Sequence, residues 1–558
     1  MKRKNLLRFF AGIGIIILLN VVATQFFFRI DLTEDQRYSI SPATKQVLEG
    51  LDDQVFVTVY LEGDMPAGFE RLQTAIRERL EEFEIYGGTH IRYRFVDPMA
   101  SADKKQRNQA LVELAKKGLQ PTNLIDKEGG KQVEKIIFPG ALVTYKGKEV
   151  PVLLLRGNQA TKGMSNQQIL NQSVEGVEYE LASAIRRLTI KSKKRIGLIE
   201  PYNSLAPVQI TDLVTSLQEN YDVYRVNLPV QPSLQGLDAI IIAKPDTAFR
   251  EEDKYKIDQF IVNGGNALFF IDALRIDSVG AQGTFAFPYN LNLTDLLFRY
   301  GVRVNENLVQ DLNSGVIPLN VGTMGDRPQI QLMPWPFFPL INTFSKHPIV
   351  RNLDAVYLRF ASTLDTIKVP GVVKTPLLLT SPYTKIIPAP AGVSYNDARK
   401  DPDPKQYHSG NLPVAYLLEG KFRSLYANRI TSADPRSATF KESNKPAKIV
   451  VFSDGDLPVN NVNRKTGQIM PLGFDPYTNV TFANKDFILH SIEYMLDPNG
   501  VIAARTKEIA LRPLDKLKVA DQRLQWQVVN LIVPVVLIIL YGIIRAWLRK
   551  KKYGRVLA

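Results

Sequence analysis

Two long runs without a charged residue stand at opposite ends of this chain, and each has a basic tail on its outer side. Residues 11–28 form an uncharged stretch interrupted only by Asn20, Thr24 and Gln25; residues 528–544 form a second, bracketed by Trp526 and Trp547. Both approach the roughly 20 residues that a membrane-spanning helix needs, and the flanking tryptophans suit an interfacial aromatic belt. Lys2, Arg3, Lys4 and Arg8 precede the first run; Arg545, Arg549, Lys550, Lys551, Lys552 and Arg555 follow or end the second. The positive-inside rule then places both termini in the cytoplasm and everything between on the far side of the inner membrane. A cleaved export signal would share the basic start, with Val21-Val22-Ala23 as its cleavage site, but Phe26, Phe27 and Phe28 carry the apolar character past that point and favour a retained anchor. The expected topology is two-pass, with a periplasmic central region.

The same tails account for most of the basicity. They hold +4 and +6 of the formal +14, which leaves +4 for the whole central region and no support for a nucleic acid partner. Membrane lipid is the expected neighbour instead.

Between the runs the pattern changes once. "VFVTVYL" (55–61) reads as a strand, Phe69, Leu72, Ile76, Leu80 and Phe83 mark one face of a helix, and Ile91, Tyr93 and Phe95 alternate with arginines as a second strand. This β-α-β unit resembles the start of a thioredoxin-like fold. Further strands follow, with a turn at Lys146-Gly147-Lys148, and a helix through Val174, Val177, Leu181, Ile185 and Leu188 closes the first domain near Thr189. From residue 195 short apolar strands alternate with helices: "RIGLIE", "YDVYRVNL", "LDAIIIAKP", "ALFFID" and, much later, "AKIVVFSDGD". That grammar predicts a parallel sheet covered on both faces, resembling the class I glutamine-amidotransferase-like sheet. The interval before residue 447 holds proline-rich loops, notably "IIPAPAGVSYNDARKDPDPKQYHSG", which read as an excursion from the sheet and not a separate domain. The expected divisions are 1–30 (tail and anchor), 31–190 (thioredoxin-like domain), 191–505 (amidotransferase-like domain), 506–526 (juxtamembrane segment) and 527–558 (second anchor and tail).

The usual routes to catalysis are closed. The chain has no cysteine, so neither disulfides nor a thiolate nucleophile can form, and its four histidines have no ligand spacing. It contains neither GxSxG nor GxxxxGK[ST]. Gly264-Gly265 reads as a helix stop. No cofactor is implied, and the expectation is a non-enzymatic protein. The remaining candidate is Asp454-Gly455-Asp456, directly after a strand and followed by Asn460 and Asn461. Two carboxylates and amides at the carboxyl end of a parallel strand could hold a hard cation or another ligand; the same residues also make an ordinary polar turn.

Three segments carry a family resemblance: "RIDLTEDQRYSISPATKQVLEGL" after the first run, "LDAIIIAKP…YKIDQFIVNGGNALFFID" in the middle, and "ARTKEIALRPLDKLKV" before the last run. In order and spacing they resemble the GldG-type auxiliary (so-called substrate-binding) proteins of ABC transporters, associated with gliding motility in Bacteroidota. The resemblance implies a membrane subunit working with a GldF-like permease and a GldA-like ATPase, as a homodimer within the complex. It leaves open a membrane-anchored envelope enzyme or ligand-binding module using the α/β sheet. Ser41 is placed to cap a short helix that begins at Pro42 and stops at Gly50. The segments on the membrane side of the two ends, with Asp31, Thr33 and Arg37 in one and Arg512, Asp515 and Lys516 in the other, are candidates for coupling the central region to the anchors or permease. Ordinary capped turns would look the same.

Overall fold

The computed structural model describes residues 11–14, 39–506 and 522–553, apart from 102, 120, 129–130, 156–165, 191, 277, 281, 326, 432–433, 464 and 498–499. It divides into two compact units, Met1–Glu508 and Ile509–Ala558.

The first described element of the central region is the capped helix. α1 (Pro42–Glu49) begins with proline at its first turn, the Ser41 side chain accepts from the Thr44 N–H, and the Gly50 N–H closes the other end on Gln46 and Leu48. Next come β1 (Val55–Val59), α2 (Ala67–Gly87) and β2 (Ile91–Phe95), followed by β3 (Gly140–Tyr145), β4 (Lys148–Leu153) and α3 (Asn166–Thr189). The apolar stripe foreseen on α2 is buried in full, from Phe69 to Phe83. The four strands form one sheet in the order β2-β1-β3-β4, with β1 and β2 parallel and the other pairs antiparallel. Lys146 and Gly147 join β3 to β4 with positive φ at both positions, the geometry that a two-residue hairpin demands.

The larger lobe is built on an eight-stranded sheet. Its parallel part comprises β5 (Arg195–Glu200), β6 (Asp222–Asn227), β7 (Ala239–Ala243), β8 (Asn266–Phe270) and, far along the chain, β12 (Pro446–Phe452). β6-β5-β7-β8-β12 run side by side. Counted along the chain this is the doubly wound order 2-1-3-4-5. All five residues of β7 are buried, as expected for a central strand covered on both faces. On one face α4 (Thr211–Gln218) and α7 (Asn484–Leu496) contribute Leu213, Leu217, Phe487, Ile488 and Ile492 to the core. On the other face α5 (Glu251–Val262) and α6 (Thr294–Tyr300) contribute Ile257, Phe260 and Leu296. α5 ends as its glycines suggested: Gly264 takes φ +97°, its N–H reaches Ile261 O, and the Gly265 N–H reaches Phe260 O, a Schellman cap.

The interval that holds those loops is rich in strands. Three of its segments, β9 (Thr343–Phe344), β10 (Val372–Leu379) and β11 (Pro413–Lys421), extend the sheet beyond β12 in antiparallel fashion, so the sheet is mixed and not wholly parallel. Another two, Ser314–Met324 and Arg327–Ile341, pair as a long hairpin. Proline concealed them. Pro376 lies at a register shift in β10, and the hairpin carries Pro318, Pro328, Pro334, Pro336 and Pro339, residues that weaken a strand signature while remaining tolerable at bulges and edges.

In the second unit, α8 (Arg523–Tyr553) includes Gln525–Lys551, the one helix among the described residues that is long and apolar enough to cross a membrane. Its 27 residues extend about 40 Å at 1.5 Å per residue, enough for a bilayer core. Of the first apolar run only residues 11–14 are described, as helix; a first span, and with it the two-pass topology, lies otherwise outside the described residues. So do Asp31, Thr33, Arg37, Arg512, Asp515 and Lys516.

Candidate functional site

The carboxyl ends of β7, β8 and β12 bring together a set of charges that the sequence scatters over two hundred residues. Lys244 follows β7, Asp272 lies two residues beyond β8, and Asp454 and Asp456 lie just beyond β12. Ligand atoms of the three carboxylates all fall within 4.8 Å of one another. Lys244 adopts φ +44°, a left-handed conformation that is costly for a residue with a Cβ. In this conformation its ammonium lies 2.5 Å from Asp456 and 3.5 Å from Asp272. Asp272 also accepts the Gly455 N–H at 2.6 Å. Asp454 is buried; its two oxygens accept the N–H groups of Asp456 and Arg359, each at 2.7 Å. Gly455 is required here because a Cβ would stand 2.6 Å from an Asp272 oxygen and 2.9 Å from Lys244 Cγ.

The electrostatics follow from crowding. Burial raises Asp272 to about 6, against the pull of Lys244. Burial, then repulsion from Asp456 and Asp272, raises Asp454 well above the usual carboxylate range. Burial acts to lower Lys244, but Asp272 and Asp456 outweigh it and hold the ammonium charged. Asp454-Gly455-Asp456 forms a polar turn in which Asp454 accepts from Asp456, and its carboxylates stand with Asp272 at the carboxyl ends of the parallel strands. Asn460 and Asn461 do not join it. Asn460 braces Val208 and Asp212, and Asn461 bonds Phe474 O. Lys244 and Asp272 were missed, although each lies within two residues of the carboxyl end of an apolar strand.

A second polar arrangement holds the two ends of the first unit. Glu178, buried on α3, accepts the Ser41 N–H at 2.6 Å and the Thr44 hydroxyl at 3.0 Å, with Arg79 at 3.8 Å. Ile40 and Leu48 share one hydrophobic core with Val501, Ile502 and Ala504, from the short 3-10 helix Val501–Thr506. Full burial of an aliphatic side chain is worth about 1.5–3 kcal/mol, so Val501 and Ile502 fasten that end firmly. Arg505, 6% exposed, continues the link into the larger lobe. Its guanidinium donates to the carbonyls of Pro348 and Arg351, lies 3.3 Å from His490 Nε2, and stands over the Tyr179 ring. Nothing in the local sequence announced Glu178 or Arg505 beyond their being charged residues among apolar ones.

A model of a family described as an ABC-type uncharacterized transport system matches residues 193–491, more than half of the chain. The chain belongs to this ABC-transport auxiliary family. A domain of unknown function matches residues 34–144, covering most of the smaller sheet of the auxiliary protein. An uncharacterized protein of Borreliella burgdorferi is 23% identical over 575 residues, covering 99% of each chain. A solved structure described as the mmIFT52 N-terminal domain covers 54% of the auxiliary protein and 97% of its own chain, at 14% identity and a TM-score of 0.30. The matched region 193–491 contains the whole Lys244–Asp272–Asp454–Asp456 cluster and ends within α7.

Proposed function

We propose that this auxiliary protein couples an ABC permease and its ATPase to an envelope partner or substrate, without catalysing a reaction itself. The observation that carries the proposal is the common core beneath Ile40, Leu48, Val501 and Ile502: both ends of the central region are fastened at one place. On a two-pass topology, with both tails cytoplasmic and the central region periplasmic, membrane motion would enter there through two short tethers. The sheet order β2-β1-β3-β4 supports a thioredoxin-like first domain, and the 2-1-3-4-5 order supports an amidotransferase-like second one. The sequence resemblance supports a GldG-type role in gliding motility in a bacterium of the Bacteroidota, with GldF-like and GldA-like partners, lipid contact and two copies per complex. The absence of a cysteine nucleophile supports a non-enzymatic role, and the Lys244 ammonium makes the acidic cluster an internally paired network instead of an open oxygen cage.

The second reading, a ligand-binding module or envelope enzyme, is favoured by that cluster's place at the strand ends. Asp454→Ala separates the two, since it abolishes activity in the second reading and spares permease association in the first. For the coupling itself, a Gly/Ser insertion between Arg29 and Ser41 is expected to leave folding and co-purification with permease and ATPase intact while uncoupling ATPase from function. Recovery of the chain without a permease or ATPase, or full function with the insertion, refutes it.

A further inference from the structure

The two lobes of the first unit leave a gap between them. A cavity of about 560 Å³ opens between α3, the chain just after α4, and α7. It lies within the roughly 300–1,000 Å³ of small-ligand sites and at the kind of boundary where such sites occur. Part of its charged lining is already matched: Arg186 pairs with Asp497 at 2.5 Å and Glu493 at 3.6 Å, and the Tyr179 hydroxyl donates to Glu493 at 2.7 Å. Two atoms are not. Arg187 Nε and Asn220 Oδ1 are buried with no hydrogen-bond partner. The Arg187 guanidinium has only a 3.7 Å ion pair with Glu219, whose side chain is 60% exposed. Folded proteins leave few buried polar atoms unpaired, and those that remain call for an explanation.

We infer that this cavity binds a short peptide or amino acid by its free carboxyl end. The carboxylate sits on the Arg187 fork, whose parallel N–H groups match two carboxylate oxygens, and the exposed Glu219 gives way. The N–H on the other side of the ligand's last Cα donates to Asn220 Oδ1, an atom that can only accept. Ile190, Leu489 and Leu496 line the same space with apolar surface, and Asp486 offers a carboxylate to the ligand's amino end. Recognition through main-chain groups makes the ligand's side chains secondary. Tyr179 and His490 line the cavity and also hold Arg505, so occupancy is felt where the chain leaves for its C-terminal helix. That consequence rests on the coupling role proposed above; the binding does not.

The test is calorimetric titration of the full-length chain in detergent with L-alanyl-L-alanine. Saturable binding near or below about 1 mM is expected. Arg187→Lys, which keeps the charge and loses the fork, and Asn220→Asp, which sets a like charge beside the carboxylate, should bind about ten- to a hundredfold more weakly, with unchanged thermal unfolding. The C-terminal amide of the dipeptide should not bind. No saturable heat up to about 10 mM, equal affinity for the amide, or wild-type affinity in both variants overturns the inference. The titration involves no permease or ATPase, so its failure leaves the auxiliary role standing.

Discussion

Lys244→Met keeps the length and apolar stem of the side chain and removes the ammonium alone. Three carboxylates would then remain within 4.8 Å of one another with no cation among them. At an effective dielectric of about 20, two full charges at that distance repel by about 3 kcal/mol. Protonating one carboxyl relieves this; for Asp272, already raised to about 6, the cost at pH 7 is about 1.4 kcal/mol, one unit of pKa. The cost of protonation thus caps the loss. Lys244 and Asp456 retain some solvent access, at 30% and 24% exposure, and the expected destabilisation is about 1–2 kcal/mol at neutral pH. The sign with pH is fixed: the variant's native state binds an extra proton, so its deficit shrinks as pH falls and nearly vanishes around pH 5. Asp272, already raised to about 6, and Asp454, raised well above the usual carboxylate range, both chiefly by burial, are the groups placed to take that proton. Urea unfolding of wild type and variant, followed by near-UV circular dichroism at about pH 5 and about pH 7.5, measures the difference. Equal losses at the two pH values, or none at the higher one, refute the reasoning.

Three further outcomes follow from the same structure. Gly455→Ala places a Cβ against Asp272 and Lys244 and should cost about 1–3 kcal/mol in the same unfolding assay. Glu178→Ala leaves the Ser41 N–H and the Thr44 hydroxyl buried without their acceptor; a loss of about 2–4 kcal/mol is expected, with earlier proteolytic cleavage near α1 in a time course. His347, lowered to about 4 chiefly by burial and secondly by Lys448, stays neutral in the fold while the unfolded chain gains a proton below about pH 6.5. Its contribution is therefore complete above about pH 6.5 and lost as pH falls toward 4, so His347→Gln should flatten the acid limb of the stability curve by up to about 3 kcal/mol.

Much of this fold could be read from residue spacing because its elements announce themselves locally. Phe69 to Phe83 repeat at helical spacing and are buried together; "AIIIA" is too uniformly apolar to be anything but covered on both faces; Ser41-Pro42 and Gly264-Gly265 are punctuation that works within a few residues. β10 and β11 were hidden because proline dilutes their signal and because they pair with each other and join the sheet only through β11 on β12, whose sequence lies downstream of both. The candidate site divides in the same way. Asp454 and Asp456 were accessible from a rule about strand ends. Lys244 and Asp272 obey that rule too, but a polar or charged residue after a strand is common, and only the strand order makes β7, β8 and β12 neighbours. Glu178 is harder still. It interrupts an otherwise apolar helix face, and its partners Ser41 and Thr44 lie more than a hundred positions earlier.

That remote pairing bears on how the molecule carries load. Ile40 and Leu48 could have joined one core and Val501 and Ile502 another, in which case pulling the two ends apart would stretch everything between them. They share a single core, reinforced by Glu178 at one end and by Arg505 at the other. Separating the ends therefore has to break that core first, while the chain from α1 to α7 forms a closed circuit that needs no internal strain to follow it. Under the proposed two-pass topology, relative motion of the two anchors would be resisted at the junction, whereas their common motion would pass into α3. From α3 it reaches the larger lobe through Tyr179, Arg186 and Arg505, the contacts around the interlobe cavity. A slack insertion before Ser41 and the loss of Glu178 should then differ in kind: the first removes transmission without lowering stability, and the second lowers stability at the junction itself.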